Sequence, residues 1–250
     1  TYNGTSTTNG TAQSCANVTV SSPSGTATSY AFANNGSCSG VTYGSDVTMT
    51  NVSEGTKTVC YKVTKTNYAD KTGEYTCTMN AATPSYTKTD KTKVYDGTAL
   101  SCDGVSLTGS GNKPTNGTIK YSNSQNGTYT ATVPTRTNVG SQTVWFKVSG
   151  TNFTETAADS FTCSVTAATM NPTPSNNSKT YDGTALSCNG NTWSGVPAGS
   201  TKYYSTDGGD TYNTTVPTRI NAGSQTINWK VTNPNYADKT GTFTCTVNAG

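Results

Sequence analysis

YDGTALSC at 95–102 returns, letter for letter, at 181–188. Asp-Gly followed by Thr signals a turn. The next residues begin a strand, with Leu100 and Cys102 two positions apart and therefore on one face. Working outward, VPTRTNVGSQTVWFKVSGTNF at 133–153 reappears as VPTRINAGSQTINWKVTNPNY at 216–236, and NYADKTGEYTCTM at 67–79 as NYADKTGTFTCTV at 235–247. Self-similarity at a fixed spacing marks tandem structural units. The reading gives three: 1–82, which is divergent, 83–168 and 169–250. The linkers are the Pro-containing stretches NAATPSYTKTDKTK and TAATMNPTPSNNSK.

The residue types exclude several classes. Hydrophobic residues make up only 31% and charged ones 12%; the remaining bulk is Thr, Ser, Asn and Gly, which suits strands and turns better than helices. A net charge of +3 without a run of like charge offers no track for a phosphate backbone, so no nucleic-acid partner is expected. No stretch reaches the 18 or so apolar residues of a membrane span. The chain contains no histidine, which removes Ser-His and Cys-His nucleophile systems. No carboxylate pair recurs at a fixed place in the repeats. The expectation is no enzyme, no catalytic residue, no metal and no cofactor.

Strand patterning is explicit. Val144, Phe146 and Val148 alternate with Thr143, Trp145 and Lys147, and Ile227, Trp229 and Val231 alternate with Thr226, Asn228 and Lys230. The first set of each faces a core. In the closing strands Tyr75, Cys77 and Met79 share a face, as do Phe161, Cys163 and Val165, and Phe243, Cys245 and Val247. Each unit thus has an inward cysteine near its first strand and another in its last. Eight cysteines allow 105 pairings, and repeat equivalence selects Cys15–Cys77, Cys102–Cys163 and Cys188–Cys245. Cys38 and Cys60 are left to each other. Because Cys60 aligns with Trp145 and Asn228 on the outward face, that fourth bridge is expected to be peripheral. Closing a loop of about 60 residues stabilises by about 4 kcal/mol on the chain-entropy account, and disulfides imply an oxidising, extracellular setting.

KTYDGTALSC, KYYSTDGGDTYNTTVPTRINAGSQTINWKV and NPNYADKTGTFTCTV resemble the bacterial immunoglobulin-like repeats of MBG type, found in tandem in large cell-surface proteins and adhesins. The resemblance covers the second and third units and the last 30 or so residues of the first. It implies an all-β fold of three tandem Ig-like antiparallel β-sandwiches, located outside the cell at its surface. A disulfide in each repeat departs from the usual pattern.

Three functions follow as expectations. The first is a non-enzymatic structural segment, the stalk or spacer of an adhesin or fibre. The second is an adhesive module whose divergent first repeat binds a glycan or host surface protein. The third is a subunit of a self-assembling extracellular filament. Neighbouring repeats of the same or a longer chain are the expected partners. Outward Trp145 and the Tyr-rich hairpins containing Tyr121 and Tyr204 are candidate ligand-facing aromatics, although Tyr is also an ordinary strand former. Asp207 and Asp210 read as a hairpin turn rather than a calcium loop, since the second unit has NSQNGTY there. Sequons begin at Asn3, Asn9, Asn17, Asn35, Asn51, Asn116, Asn126, Asn152, Asn176 and Asn213, a number that the Asn, Ser and Thr content alone accounts for.

Overall fold

The computed structural model describes residues 3–8 as backbone, and 10–108, 114 and 116–250 in full. It is all-β apart from one turn of 3-10 helix at Val52–Glu54, and each repeat is a β-structure of two layers stapled by a disulfide. Cα proximities divide the chain into two compact units. One contains the residues up to Asp90 with Asp103–Pro134 and Thr143–Phe161; the other contains Lys91–Cys102, Thr135–Gln142 and Thr162–Gly250.

Each repeat carries one four-stranded sheet of the same order. In the first it runs Asn3–Thr8, Lys71–Ala81, Thr56–Thr64, Ala27–Phe32; in the third, Asn177–Thr180, Tyr236–Asn248, Gly223–Asn233, Thr201–Ser205. The second has Thr118–Ser122, Gly140–Ser149, Asp159–Thr166, Lys91–Val94. Short two-stranded pairs form the facing layer: Gln13–Ser14 with Thr48–Met49, Leu100–Ser101 with Thr135–Arg136, and Leu186–Ser187 with Thr218–Arg219. The opening strand runs parallel to the closing one, with Gly4 beside Cys77, Lys91 beside Cys163 and Asn177 beside Cys245. A parallel neighbour cannot be reached by a tight hairpin. The chain instead leaves this sheet after Val94 and enters the facing layer at Leu100, so YDGT is the crossover between layers.

The period-two pattern decides which residues are interior. Val144, Phe146, Val148, Ile227 and Val231 are fully buried, and Trp229 nearly so. The inward faces of the closing strands, from Tyr75, Phe161 and Phe243 onward, are buried to the same degree. In the first repeat Cys15, Tyr30, Met49, Val59, Tyr75, Cys77 and Met79 form the core; in the third it is Met170, Cys188, Tyr204, Ile227, Trp229, Val231, Phe243 and Cys245. The layers are joined by Cys15–Cys77, Cys102–Cys163 and Cys188–Cys245, with Cα atoms 6.0, 5.7 and 5.5 Å apart.

The fourth disulfide, Cys38–Cys60 with Cα atoms 5.6 Å apart, corrects one expectation. Cys60 is not peripheral but 0% exposed. Its strand position does face outward, yet the segment after Phe32 turns back over that face. Ala33 N–H donates to the Thr58 carbonyl, and Tyr30 exchanges two backbone hydrogen bonds with Gly44. The bridge pins the extra loop of the first repeat, as expected, but over a buried Cys60 rather than at the periphery.

Candidate functional site

The repeated octapeptide builds a small polar clamp. Asp96 Oδ1 accepts from Lys93 Nζ at 2.6 Å, from Thr98 N–H at 2.9 Å and from Thr98 Oγ1 at 2.8 Å. The third repeat reproduces it with Lys179, Asp182 and Thr184 at the same three distances. The lysine ammonium and then the threonine donors hold both carboxyls well below the usual carboxylate range. These groups are exposed, so their value is geometric: the clamp fixes a crossover turn in which Gly97 and Gly183 adopt φ of 82° and 80°, a region that favours glycine.

Consecutive repeats meet through an asparagine at the tip of a hairpin. Asn152, at the tip of the hairpin after Gly140–Ser149, has φ 68°. Its Oδ1 accepts from Val52 N–H at 2.9 Å, and its Nδ2 donates to Asn51 Oδ1 at 3.0 Å. Its backbone carbonyl accepts from Ala82 N–H at 2.9 Å, while Thr154 N–H donates to the Ala82 carbonyl at 2.9 Å. Phe153 is 8% exposed beside the buried Ala82.

The other unit contains the same junction one repeat later. Asn235 Oδ1 accepts from Val139 N–H at 3.0 Å, and Asn235 Nδ2 donates to Asn138 Oδ1 at 3.3 Å. Ala168 N–H donates to the Asn235 carbonyl at 3.1 Å, and Ala237 N–H to that of Ala168 at 2.8 Å. The Tyr236 ring meets Tyr95, the first residue of YDGTALSC, edge to face at 5.6 Å. Each junction thus contains four hydrogen bonds, each contributing roughly 0.5–1.5 kcal/mol net. Sequence reading missed these asparagines. The available signal was an Asn followed by Tyr or Phe at one place in every repeat, at 67, 152 and 235.

The candidate aromatics are placed otherwise. Tyr121 and Tyr204 are each 5% exposed, so they are core residues and do not face a ligand. Strand pairing sets Tyr121 opposite Phe146 and Tyr204 opposite Trp229, on the inward face, and burial pushes both phenols up from their ordinary pKa. Trp145 is half-buried beside Ser122. Asp207 is occupied within its own hairpin, accepting from Ser205 Oγ and from the Thr211 N–H and hydroxyl. Among the described residues no cluster of His, Cys, Asp and Glu is arranged to hold a metal, and no helix is long and apolar enough to cross a membrane. Of the sequon asparagines, Asn51 and Asn152 are engaged in the first junction, Asn176 accepts from Thr244 N–H, and Asn9 lies outside the described residues.

A groove of about 290 Å³ opens on the first repeat between the Val18–Pro23 segment and the hairpin carrying Tyr61, Val63, Lys65 and Tyr68.

No protein-family model matches the chain, and no curated protein sequence does. Solved structures overlap it loosely. The human desmocollin-1 ectodomain is 12% identical over 98% of this chain and 60% of its own, at a TM-score of 0.30. The insect immune protein hemolin is 14% identical over 100% and 74%, at 0.35. Sidekick-1 immunoglobulin domains 1–5 are 14% identical over 90% and 53%, at 0.30. The chain spans less than two thirds of the desmocollin and Sidekick chains, and superpositions this loose assign no activity or partner.

Proposed function

We propose that this chain is a non-enzymatic structural segment of an extracellular, bacterial surface protein or fibre, a stalk or spacer of the adhesin type. One observation carries the reading: the chain devotes the same residues of successive repeats to the same four-bond junction, formed once through Asn152 and once through Asn235. A core disulfide in every repeat supports it, because a covalent link between layers limits how far a repeat extends under load. Its partners are neighbouring repeats. The adhesive-module reading rests on the groove beside Tyr61 and Tyr68 and on the flap held by Cys38–Cys60.

Pulling the intact chain in optical tweezers tests the proposal. Three unfolding steps are expected, each releasing only the chain outside its bridged loop, roughly 25 residues or about 90 Å. Reduction restores the remaining length to every step. A single step, or release of full repeat length without reductant, would contradict the structural-segment reading. Selective retention on a glycan or protein array, lost when the groove residue Tyr61 is changed to Ala, would instead favour the adhesive module.

A further inference from the structure

All eight cysteines are paired, and seven of them are at most 3% exposed. Cys38 is the exception: it is half-buried and stands between the exposed Ser37 and Ser39. A disulfide is cleaved by a thiolate that attacks one of its sulfurs, so access decides which bridge reacts. For Cys15–Cys77, Cys102–Cys163 and Cys188–Cys245 the attack has to wait until a repeat opens. For Cys38–Cys60 it does not, because Cys38 lies at the surface while Cys60 behind it is sealed.

The loop that carries Cys38 is held by little else. Ala33 N–H donates to the Thr58 carbonyl, Asn34 and Ser37 close a tight turn on themselves, and the next bonds to the strand are the two between Tyr30 and Gly44. Among the described residues no hydrogen bond is found for Gly40–Tyr43. A hollow of about 440 Å³ lies between this stretch and Tyr30–Phe32. The disulfide fastens the middle of the loop, and cutting it frees the loop without unfolding a sheet. One charge stands beside the accessible sulfur. Glu74, opposite Cys60 in the strand register, places Oε2 3.4 Å from Cys38 Sγ. The nearby lysines are engaged elsewhere, Lys62 with Asp70 at 2.8 Å and Lys57 with Glu54 at 2.7 Å. The carboxylate repels an anionic thiol and attracts one that carries an ammonium group.

We propose that Cys38 is a thiol-exchange site selective for small cationic aminothiols, and that Cys38–Cys60 is a releasable latch on the loop of the first repeat. The aminothiol thiolate attacks Cys38 Sγ. A mixed disulfide forms there as the Cys38–Cys60 bond breaks, and the electron pair leaves on Cys60 Sγ, which takes a proton from water. A second aminothiol thiolate attacks the aminothiol sulfur of the mixed disulfide and releases Cys38, which is protonated in turn. Two aminothiols are thereby oxidised to their disulfide, and one protein disulfide is reduced to two thiols. The freed loop uncovers the outward side of Thr58, Cys60 and Lys62.

The test incubates the oxidised full chain with cysteamine or with 3-mercaptopropionate at matched thiolate concentration, quenches with N-ethylmaleimide and maps the adducts by mass spectrometry. The first adduct is expected to be cysteamine on Cys38, followed by maleimide on Cys38 and Cys60, about a hundredfold or more ahead of any other cysteine. Cysteamine should outpace 3-mercaptopropionate roughly three- to tenfold, and Glu74→Gln should remove most of that preference. Amide exchange at Gly44 should accelerate once the latch is open, with Cys188 unchanged. The double variant Cys38→Ser, Cys60→Ala should take up no adduct at the same dose. A first adduct on another cysteine, four bridges cut at one rate, no adduct at Cys38, a thiol preference indifferent to Glu74→Gln, or unaltered exchange at Gly44 would overturn the assignment. Residues 38 and 60 lie inside the loop closed by Cys15–Cys77, so opening the latch leaves the pulling steps as they were, and the structural-segment reading is decided separately.

Discussion

Replacing both Cys188 and Cys245 with Ala should remove most of the stability of the third repeat while leaving the first intact. The bridge spans a sequence separation of 57 residues, and the entropy lost by closing a loop of that length corresponds to about 4 kcal/mol at 25 °C. Both sulfurs are fully buried among Ile227, Trp229 and Phe243, so lost packing adds to the figure rather than offsetting it. Domains of this size are stable by roughly 0.05–0.15 kcal/mol per residue, or about 4–12 kcal/mol. The assay is urea unfolding of the full chain followed by tryptophan emission. Trp193 and Trp229 stand edge to face at 5.4 Å in the third repeat, and the other tryptophan, Trp145, belongs to the second. With a slope near 1–1.5 kcal/mol per molar urea, the midpoint reported by Trp193 and Trp229 should fall by roughly 3 M or more. Amide exchange at Val59, in the first repeat, should be unchanged. A midpoint shift below about 1 M at unaltered slope would refute the loop-closure argument. Equal loss of protection at Val59 would refute the assumption that repeats unfold separately.

Asn152→Ala removes both side-chain bonds of the first junction and strains a backbone at φ 68°; amide exchange at Val52 should accelerate about tenfold, with Val139 unaffected as the internal control. Gly241→Ala places a methyl group into the Trp229 ring facing it across the hairpin; about 1–3 kcal/mol of overpacking should lower the third repeat's urea midpoint and leave the first repeat's exchange unchanged. For pH, the sign follows from depressed carboxyls. Lys57 and then the Asn51 and Thr50 amides hold Glu54 at about 2, while Lys93, Lys179 and Ser205 lead the groups that lower Asp96, Asp182 and Asp207. Their contribution is present above the unfolded value near 4 and lost as pH falls through the folded values, so thermal midpoints should be level from about pH 5 to 8 and decline below about 4. With no histidine in the chain, a step between pH 6 and 7 would contradict this assignment.

Much of the fold was legible because strands report their own burial. A residue on a pleated strand shares a face with the residue two places on, so Val144, Phe146 and Val148, or Phe243, Cys245 and Val247, declare a common side without reference to the rest of the chain. Repetition then reinforced the assignment, by showing the same alternation at the same place in each unit. Tyr121 and Tyr204 were misjudged for the complementary reason. Alternation says that two faces differ; in a short strand of Thr, Lys, Tyr and Ser it does not say which face meets the core, and only pairing with the next strand sets Tyr121 opposite Phe146 and Tyr204 opposite Trp229.

The sequence by itself determined the repeat, the all-β class, the inward side of each closing cysteine and the turn at YDGT, since all of these depend on neighbours within a few residues. Only the tertiary structure decided that the first strand lies parallel to the last, that a flap buries Cys60, and that Asn152 and Asn235 tie successive repeats together. Those features join residues from 22 to 100 positions apart, and no local preference of Asn, Cys or Lys distinguishes a side chain left in water from one whose partner arrives from another part of the chain.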